Sequence, residues 1–222
     1  MHLSRIRLDS SRVAPAKLSM LLGGGGYHLH QALWNLFDND PKTERDFLYR
    51  QEQGDRAPTF LLLSKREPAD RDGCWIIETK PYQPRIQVGD RLGFSVRINP
   101  VVSRRDENGK QHRHDVVMDR KKALREDGRK PAQTEVVQAA IEEWFAARTS
   151  RSGFELVDTG LLTESYQQHR LSRGNGKPIQ FSTVDCAGQL TVTNSETFLA
   201  VAMNGMGPAK AFGCGLLLIR RL

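Results

Sequence analysis

The sequence predicts an α+β fold made of two tandem ferredoxin-like (RRM-like) domains. Three observations lead to this prediction: both halves contain short strand-like segments, each half has an amphipathic helix, and Asn99-Pro100 breaks the chain near its middle. The 222 residues are enough for two domains of about 100 residues each. Helices packed on one antiparallel sheet are typical of ferredoxin-like units.

The first half, residues 1–98, is predicted to form the N-terminal domain. Its opening strand covers residues 3–8, where charged and apolar side chains roughly alternate. A helix is expected over residues 27–37, because apolar residues recur on one face and an Asp-Asn-Asp-Pro turn follows. Residues 75–77 begin either another strand or a short helix. The remaining strands are predicted at residues 46–51, 59–64 and 92–98.

The second half, residues 99–222, is predicted to form the C-terminal domain. Residues 104–130 are rich in charges of both signs, so a flexible solvated connection is expected there, with contacts to phosphates as the alternative. A helix is predicted over residues 132–148, whose apolar side chains share one face. The other elements are strands at 154–163 and 179–193 joined by a polar tip at 170–177, a helix at 195–203, a glycine-rich loop and a strand at 214–220.

The charge balance of the chain favours a polyanionic partner. The 33 Lys and Arg residues outnumber the 26 Asp and Glu residues, which gives a formal charge of +7 and a pI of about 9.5. Such a balance suits a nucleic acid or an anionic membrane surface. An enzyme that is merely basic is the alternative interpretation.

Several functional classes find no support in the sequence. No segment reaches the ~20 apolar residues of a membrane span, and the N-terminal residues do not resemble a signal peptide. Cys74, Cys186 and Cys214 lie far apart without a CxxC pair, which predicts reduced thiols in a cytoplasmic protein. No HExxH motif or carboxylate pair with metal spacing occurs, so no metal or cofactor is predicted. Any phosphodiester chemistry is therefore expected to use acid–base groups.

The first candidate site lies at the start of the predicted helix 27–37. Tyr27, His30 and Trp34 share a face beside the apolar stripe, just after four glycines. Helix N-termini favour a nearby phosphate, and a histidine there can transfer protons near neutral pH. The local pattern alone favours the alternative, in which these side chains pack on the sheet without a catalytic role.

Two further candidates lie in the second half. The loop at 205–215 carries four glycines and Lys210, which would let backbone amides and an ammonium group approach a phosphate, although a tight structural loop is equally compatible with it. It matches neither a P-loop nor a Rossmann fingerprint. The tip of the predicted hairpin carries Arg170, Arg173 and Lys177. These cations form either an ordinary solvated hairpin or a basic finger that enters an RNA groove.

These segments together resemble the CasE family of CRISPR RNA-processing endoribonucleases from type I-E Cascade systems. The resemblance rests on the pattern Tyr-x-x-His-x-x-Leu-Trp at 27–34, Arg-Asp-Phe-Leu-Tyr-Arg at 45–50, Phe-Ser-Val-Arg-Ile-Asn-Pro at 94–100 and Gly-Met-Gly-Pro-Ala-Lys-x-x-Gly-Cys-Gly at 205–215. It covers almost the whole chain. The four glycines before Tyr27 and the enlarged polar segment at 104–130 depart from the family pattern.

The resemblance implies a metal-independent endoribonuclease with two tandem ferredoxin-like domains. Such an enzyme binds the repeat hairpin of CRISPR precursor RNA and cleaves at its base by attack of a ribose 2′-OH, as a subunit of a multi-protein Cascade complex. His30 matches the family's catalytic histidine and Tyr27 its active-site tyrosine. Arg170, Arg173 and Lys177 fall where the family inserts a basic hairpin into RNA. Two alternatives stay open: a non-catalytic structured-RNA-binding module, and a small-molecule phosphate enzyme that uses the glycine-rich loop.

Overall fold

The structure, a computed structural model, describes residues 1–9, 11–13, 16, 19, 25–37, 45–52, 58–157, 160–173 and 176–222. The elements of the first half are β1 (His2–Leu8), α1 (Gly25–Trp34), β2 (Phe47–Glu52), β3 (Thr59–Ser64) and β4 (Trp75–Pro81). Those of the second half are β5 (Arg91–Ile98), β6 (Val101–Arg105), β7 (Gln111–Asp115), α2 (Val116–Glu126), α3 (Gln133–Ala146), β8 (Phe154–Leu156), β9 (Leu162–Arg173), β10 (Gly176–Val192), α4 (Ser195–Asn204) and β11 (Leu218–Arg221).

The first sheet is antiparallel and has the strand order β2-β3-β1-β4. Strand β3 lies between β1 and β2, which α1 connects along the chain, and this split arrangement is that of a ferredoxin-like unit. Leu33, Leu36 and Phe37 follow the predicted apolar stripe and are buried against Ile6 and Phe60 of the sheet. Residues 75–77, which the sequence left open between strand and helix, begin strand β4.

The second sheet repeats the same order with different elements. Its path is β11-β5-β10-β8, and β9 pairs with the same edge of β10 as β8 does. Helix α3 buries the predicted apolar face, including Ile141, Trp144 and Phe145, in a core shared with Val96 and Phe198. The predicted α+β fold with two ferredoxin-like units is confirmed by these two sheets.

Strand β5 belongs to the second sheet, although the sequence prediction assigned residues 92–98 to the N-terminal domain. It pairs with β10 and β11, and its alternate residues Leu92, Phe94, Val96 and Ile98 join the core that contains α3. Sheet membership therefore changes before β5, and not at the predicted boundary after residue 98. The alternation of apolar residues identifies a strand but does not identify its partners.

The charge-rich segment 104–130 is ordered, which corrects the expectation of a flexible connection. Strands β6 and β7 form a hairpin whose turn is closed by the Asp106 carboxylate, which accepts hydrogen bonds from the backbone amides of Asn108 and Lys110. The Asp115 carboxylate then caps the N-terminus of α2. Opposite charges pair locally, as in Arg104–Asp119 and Arg120–Glu143, so the mixed signs reflect surface ion pairs.

The long hairpin of the second half differs from the prediction in its arms. The segment predicted as one strand at 154–163 is divided: β8 ends at Leu156 and β9 begins at Leu162. Strands β9 and β10 pair from Ala187–Leu162 to Gly176–Arg173, so the predicted polar tip does lie at the end of a hairpin. Among the residues described, no helix has the length and apolar character that a membrane span requires.

Candidate active site

His30 lies on α1 among aromatic side chains of the first sheet. Its Nε2 atom accepts a hydrogen bond from Trp34 Nε1 at 2.9 Å, one helical turn later. Its ring lies 6.4 Å from the rings of Phe47 and Tyr49 on β2, measured between centroids. The Nδ1 atom is buried and has no hydrogen-bond partner among the described residues. One ring nitrogen is therefore held by Trp34, and the other is buried, so that a ligand can reach it only after the ring or a neighbouring group moves.

The surroundings of His30 favour its neutral form. Burial lowers the pKa of His30, and the nearby positive charge of Arg45 lowers it further. The ring is consequently uncharged at pH 7. Because Nε2 accepts from Trp34, the neutral ring carries its proton on Nδ1. The Nδ1–H group of this tautomer is a donor without a partner among the described residues, and it could serve an anionic acceptor such as a phosphate oxygen once the ring becomes accessible.

Two further cations share this neighbourhood. Arg45 is half-buried, and burial lowers its pKa. Burial and the charge of Arg45 together lower the pKa of Lys210, so the two cations are close enough to repel each other. Neither forms a salt bridge within the described part of the chain. Because these cations have no carboxylate partner among the described residues, the region around His30 carries positive charge that suits an anion.

Tyr49 connects the His30 helix to the glycine-rich loop of the second half. It is buried, its hydroxyl donates a hydrogen bond to the backbone oxygen of Ala211 at 2.9 Å, and burial raises its pKa. Gly213 lies against the tyrosine ring and adopts φ +81°, a left-handed backbone conformation that favours glycine. The tyrosine thus fixes the position of the loop relative to His30.

The glycine-rich loop is held by its own hydrogen bonds. Gly215 accepts from the amide of Met206 at 2.9 Å and donates to the oxygen of Arg97 on β5 at 2.7 Å. The Lys210 ammonium donates to the oxygen of Asn204, at the C-terminus of α4, at 2.6 Å. These bonds support the interpretation as a tight structural loop. The turn that contains Lys210 packs against α1, the helix of His30. Contact between Lys210 and RNA stays a prediction.

The structure describes the other predicted site residues to different extents. Helix α1 packs against β9 and against the turn Lys210–Phe212, so the helix that carries His30 contacts one arm of the basic hairpin. Arg170 is exposed on β9, opposite Gln180. The backbone of Tyr27 lies in α1, but its side chain falls outside the described residues, as do the side chains of Arg173 and Lys177.

Sequence reasoning missed Arg45 and Tyr49 as site residues. Both lie in the Arg-Asp-Phe-Leu-Tyr-Arg segment that contributed to the family resemblance, which was a signal that could have singled them out. Trp34 was assigned to the correct helix face, but its hydrogen bond to His30 was not foreseen. Within the described residues, no group of three or more potential metal ligands comes together.

Two ferredoxin-like sheets place a half-buried histidine beside cations that form no salt bridge with any described residue, which defines a candidate acid–base site for an anionic substrate. The comparisons with known proteins agree with that class. The chain belongs to the family described as CRISPR associated protein, whose model matches residues 1–221.

The similar proteins span most of this chain. It is 30% identical over 194 residues to the Cascade subunit CasE of Escherichia coli K12, which covers 86% of this chain and 89% of that protein. It is 27% identical over 207 residues to the CRISPR-associated endoribonuclease Cse3 of Thermus thermophilus, which covers 86% and 88%. The crystal structure of Cas6e from E. coli K-12 matches with a TM-score of 0.66 and 26% identity over the whole of both chains.

A structure of Cse3 bound to a 19-nucleotide RNA matches more closely in shape. Its TM-score is 0.73 with 24% identity, and the match covers 99% of this chain and all of that one. At this identity the likeness supports the fold, including the two-sheet arrangement described above.

Proposed function

We propose that this protein binds the repeat hairpin of CRISPR precursor RNA and cleaves it at the base of the stem to give mature crRNA. One observation carries the proposal: the chain is similar over most of its length to an endoribonuclease, Cse3, and to the Cascade subunit CasE. The site around His30 supplies chemistry that such a reaction needs. By the same similarity, we propose that the protein works as a subunit of a multi-protein Cascade complex.

In the proposed reaction, the ribose 2′-OH attacks the adjacent phosphorus. The bond to the 5′ oxygen of the next nucleotide breaks, which leaves a 2′,3′-cyclic phosphate (or its 3′-phosphate hydrolysis product) and a 5′-OH. One proton must leave the attacking hydroxyl and one must reach the leaving oxygen. His30 is the proposed proton-transfer group, and Tyr27 is proposed to orient the nucleophile or the phosphate.

Arg45 and Lys210 are proposed to stabilise the charge that develops on the phosphate. Both are cations in the electrostatic neighbourhood of His30 without a salt-bridge partner in the described part of the chain. Partly buried cations act strongly on a nearby anion because less water screens them. No metal ion is required by this scheme, since the protein supplies the positive charges.

Trp34 is proposed to hold His30 in its resting state. In that state Nε2 is occupied by the Trp34 N–H group and Nδ1 carries the proton. His30 can accept a proton at Nε2 only when the Trp34 hydrogen bond opens. RNA binding is the step proposed to open it, since a phosphate that accepts from Nδ1 would move the ring.

Binding is proposed to rest on the hairpin formed by β9 and β10. Arg170 is exposed on it, and Arg173 and Lys177 adjoin its tip in the sequence. A-form RNA offers its phosphates and shape more readily than its base edges, so cations on a projecting hairpin suit it. The proposed location is the cytoplasm, where the buried thiols of Cys74, Cys186 and Cys214, which form no disulfide with one another, would stay reduced.

The proposal is tested by cleavage of the CRISPR repeat hairpin of the source genome in excess EDTA. The matched control is the same hairpin with a single 2′-deoxy nucleotide at the cleavage position. We expect the RNA to be cut to a cyclic phosphate or 3′-phosphate and a 5′-OH, and the deoxy hairpin to stay intact.

Three other outcomes would contradict parts of the proposal. Cleavage of the deoxy hairpin would reject attack by the 2′-OH, and strong inhibition by EDTA would point to a metal enzyme. Tight binding without any cleavage would identify a non-catalytic structured-RNA-binding module.

A further inference from the structure

Three aromatic rings form a continuous stack beside the middle of the β9–β10 hairpin. His169 on β9 lies over Phe181, its cross-strand partner on β10, with ring centroids 4.7 Å apart and planes at 21°. Phe181 in turn lies over Phe212 of the turn after α4, at 4.8 Å and 25°. All three rings are partly exposed. No other ring in the described part of the chain covers the outer faces of His169 and Phe212.

The stack forms part of the wall of a cleft of about 630 Å³ between the β6–β7 hairpin and the middle of the β9–β10 hairpin. Two arginines and two glutamines, Arg113, Arg170, Gln168 and Gln180, also line this cleft. Neither arginine forms a salt bridge with any described residue, and both are exposed. The volume falls in the range of sites that enclose a small organic group such as a nucleotide.

This combination of groups identifies a chemical class of ligand. Stacked rings with free faces bind flat heteroaromatic bases, free guanidinium groups bind phosphates, and side-chain amides bind the polar edges of bases. A paired base in a duplex cannot offer its face to such a stack, whereas an unpaired base can. A simple inorganic anion would make no use of the aromatic rings.

A smaller cleft adjoins the stack and reaches Tyr49, a neighbour of His30. It has a volume of about 170 Å³ and is lined by Tyr49, Arg97 and Gly213 together with the three stacked rings. The ring of Tyr49 lies 6.4 Å from that of His30. Burial and the charge of Arg97 lower the pKa of His169, so its ring is neutral at pH 7 and suited to stacking. RNA that passes His30 would therefore reach the stack within a short length of chain.

We propose that the cleft beside His169, Phe181 and Phe212 binds an unpaired nucleotide that flanks the stem of the repeat hairpin. The base extends the ring stack, and Arg113 contacts a neighbouring phosphate. The proposal rests on the proposed function, because it names a second part of the same RNA. Its consequence is that the protein distinguishes a hairpin with single-stranded flanks from an isolated stem.

The test compares the affinities of three fluorescently labelled hairpins, each made uncleavable by a 2′-deoxy nucleotide at the cleavage position. The first is the stem-loop alone, the second has a few unpaired nucleotides on both sides, and the third has the same flanks without bases. Fluorescence anisotropy is measured for wild type, Phe212→Leu, Arg113→Gln and the control Arg91→Gln. Arg91 is exposed at the opposite end of β5 from the cleft.

Wild type is expected to bind the flanked hairpin roughly 10-fold more tightly than the stem alone, the effect of stacking about one base. Removing the bases from the flanks, or Phe212→Leu, should abolish most of that preference. Arg113→Gln should reduce affinity for both flanked hairpins and leave the stem unaffected. Arg91→Gln should behave as wild type.

Equal wild-type affinity for the stem and the flanked hairpin would overturn the subsite. A loss of affinity for all three hairpins in Phe212→Leu would show a structural effect, and Arg113→Gln, an exposed substitution, then decides the question. If Arg113→Gln lowers the affinity for all three hairpins equally, or leaves all three affinities unchanged, the subsite is rejected. If no hairpin binds wild type, the proposed function itself fails.

Discussion

The two sheets of this molecule have the same strand order but are extended in different ways. The first sheet, β2-β3-β1-β4, packs against α1, which carries His30, while the second, β11-β5-β10-β8, continues into a long basic hairpin. The first half therefore presents a candidate proton-transfer group, and the second presents an extended arm of β-structure. Under the proposed function, one copy of this topology serves the chemistry and the other serves RNA contact.

The comparison also shows where the two halves depend on each other. The cation set at the His30 site contains Arg45 from the first half and Lys210 from the second. Tyr49 holds the two together through its hydrogen bond to Ala211. The candidate proton-transfer group therefore comes from the first half and the proposed binding hairpin from the second, while residues of both halves form the candidate site. The following predictions test that division.

Of the three changes that test this division, Arg45→Gln should have the largest effect on the cleavage rate. Loss of a cation that stabilises developing charge typically slows a reaction by ~10²–10³-fold. The charge of Arg45 also lowers the pKa of His30, so its removal should raise that pKa. If neutral His30 acts as the base, the rate rises with pH through this pKa, and the acidic limb of the pH–rate profile should move to higher pH.

Single-turnover cleavage across pH measures both effects of Arg45→Gln. The control is Arg5→Gln, since Arg5 is an exposed arginine on β1 of the same sheet. An unchanged profile with an unchanged rate would remove Arg45 from the site.

Replacing Arg170, Arg173 and Lys177 together by glutamine should affect binding more than chemistry. Each lost phosphate contact lowers affinity and reduces the slope of log K against log[salt] by about 0.7–0.9. We expect a loss of affinity of roughly 10-fold or more at moderate salt, with a near-normal cleavage rate at saturating protein. Filter-binding titrations at several salt concentrations provide the measurement. Unchanged affinity and an unchanged slope would reject the role of the hairpin.

Trp34→Phe should have the smallest effect of the three. It keeps an aromatic ring of the helix face but removes the N–H group that donates to His30. The Nδ1–H tautomer of His30 should then lose its preference, which the ¹⁵N chemical shifts of the imidazole report. Because this hydrogen bond has to open before Nε2 can accept a proton, its loss should raise the cleavage rate by up to about tenfold, the equilibrium effect of one hydrogen bond. A wild-type tautomer signal in the variant would show that Trp34 does not hold the ring.

Local patterns were sufficient to predict most of the elements. The apolar stripe through Leu33, Leu36 and Phe37 and the alternation at residues 92–98 are one-dimensional signals, and the structure has a helix and a strand at those places. The partners of a strand are a property of the whole fold, so the pairing of β5 with β10 was not readable. In residues 104–130 the ion pairs and the Asp115 cap join residues whose spacing alone does not show that they meet.

The candidate site was predictable to a similar extent. His30 was identified from its helix face and from the family pattern. Arg45, Tyr49 and the ring stack of His169, Phe181 and Phe212 were not, because each depends on contacts between segments far apart in the chain. The stack, for example, joins residues on β9, β10 and the turn Lys210–Phe212. No local period of the sequence brings those rings together.

The most direct test of the account compares His30→Ala with His112→Ala in parallel cleavage and binding assays, after thermal melting has shown that both variants fold. His112 is an exposed histidine on β7, outside the site. The account predicts that His30→Ala cleaves the repeat hairpin ~10²–10⁴-fold more slowly than wild type while binding it with nearly the same affinity. His112→Ala should match wild type in both assays. Cleavage by His30→Ala at the wild-type rate would contradict the central claim that His30 transfers the proton.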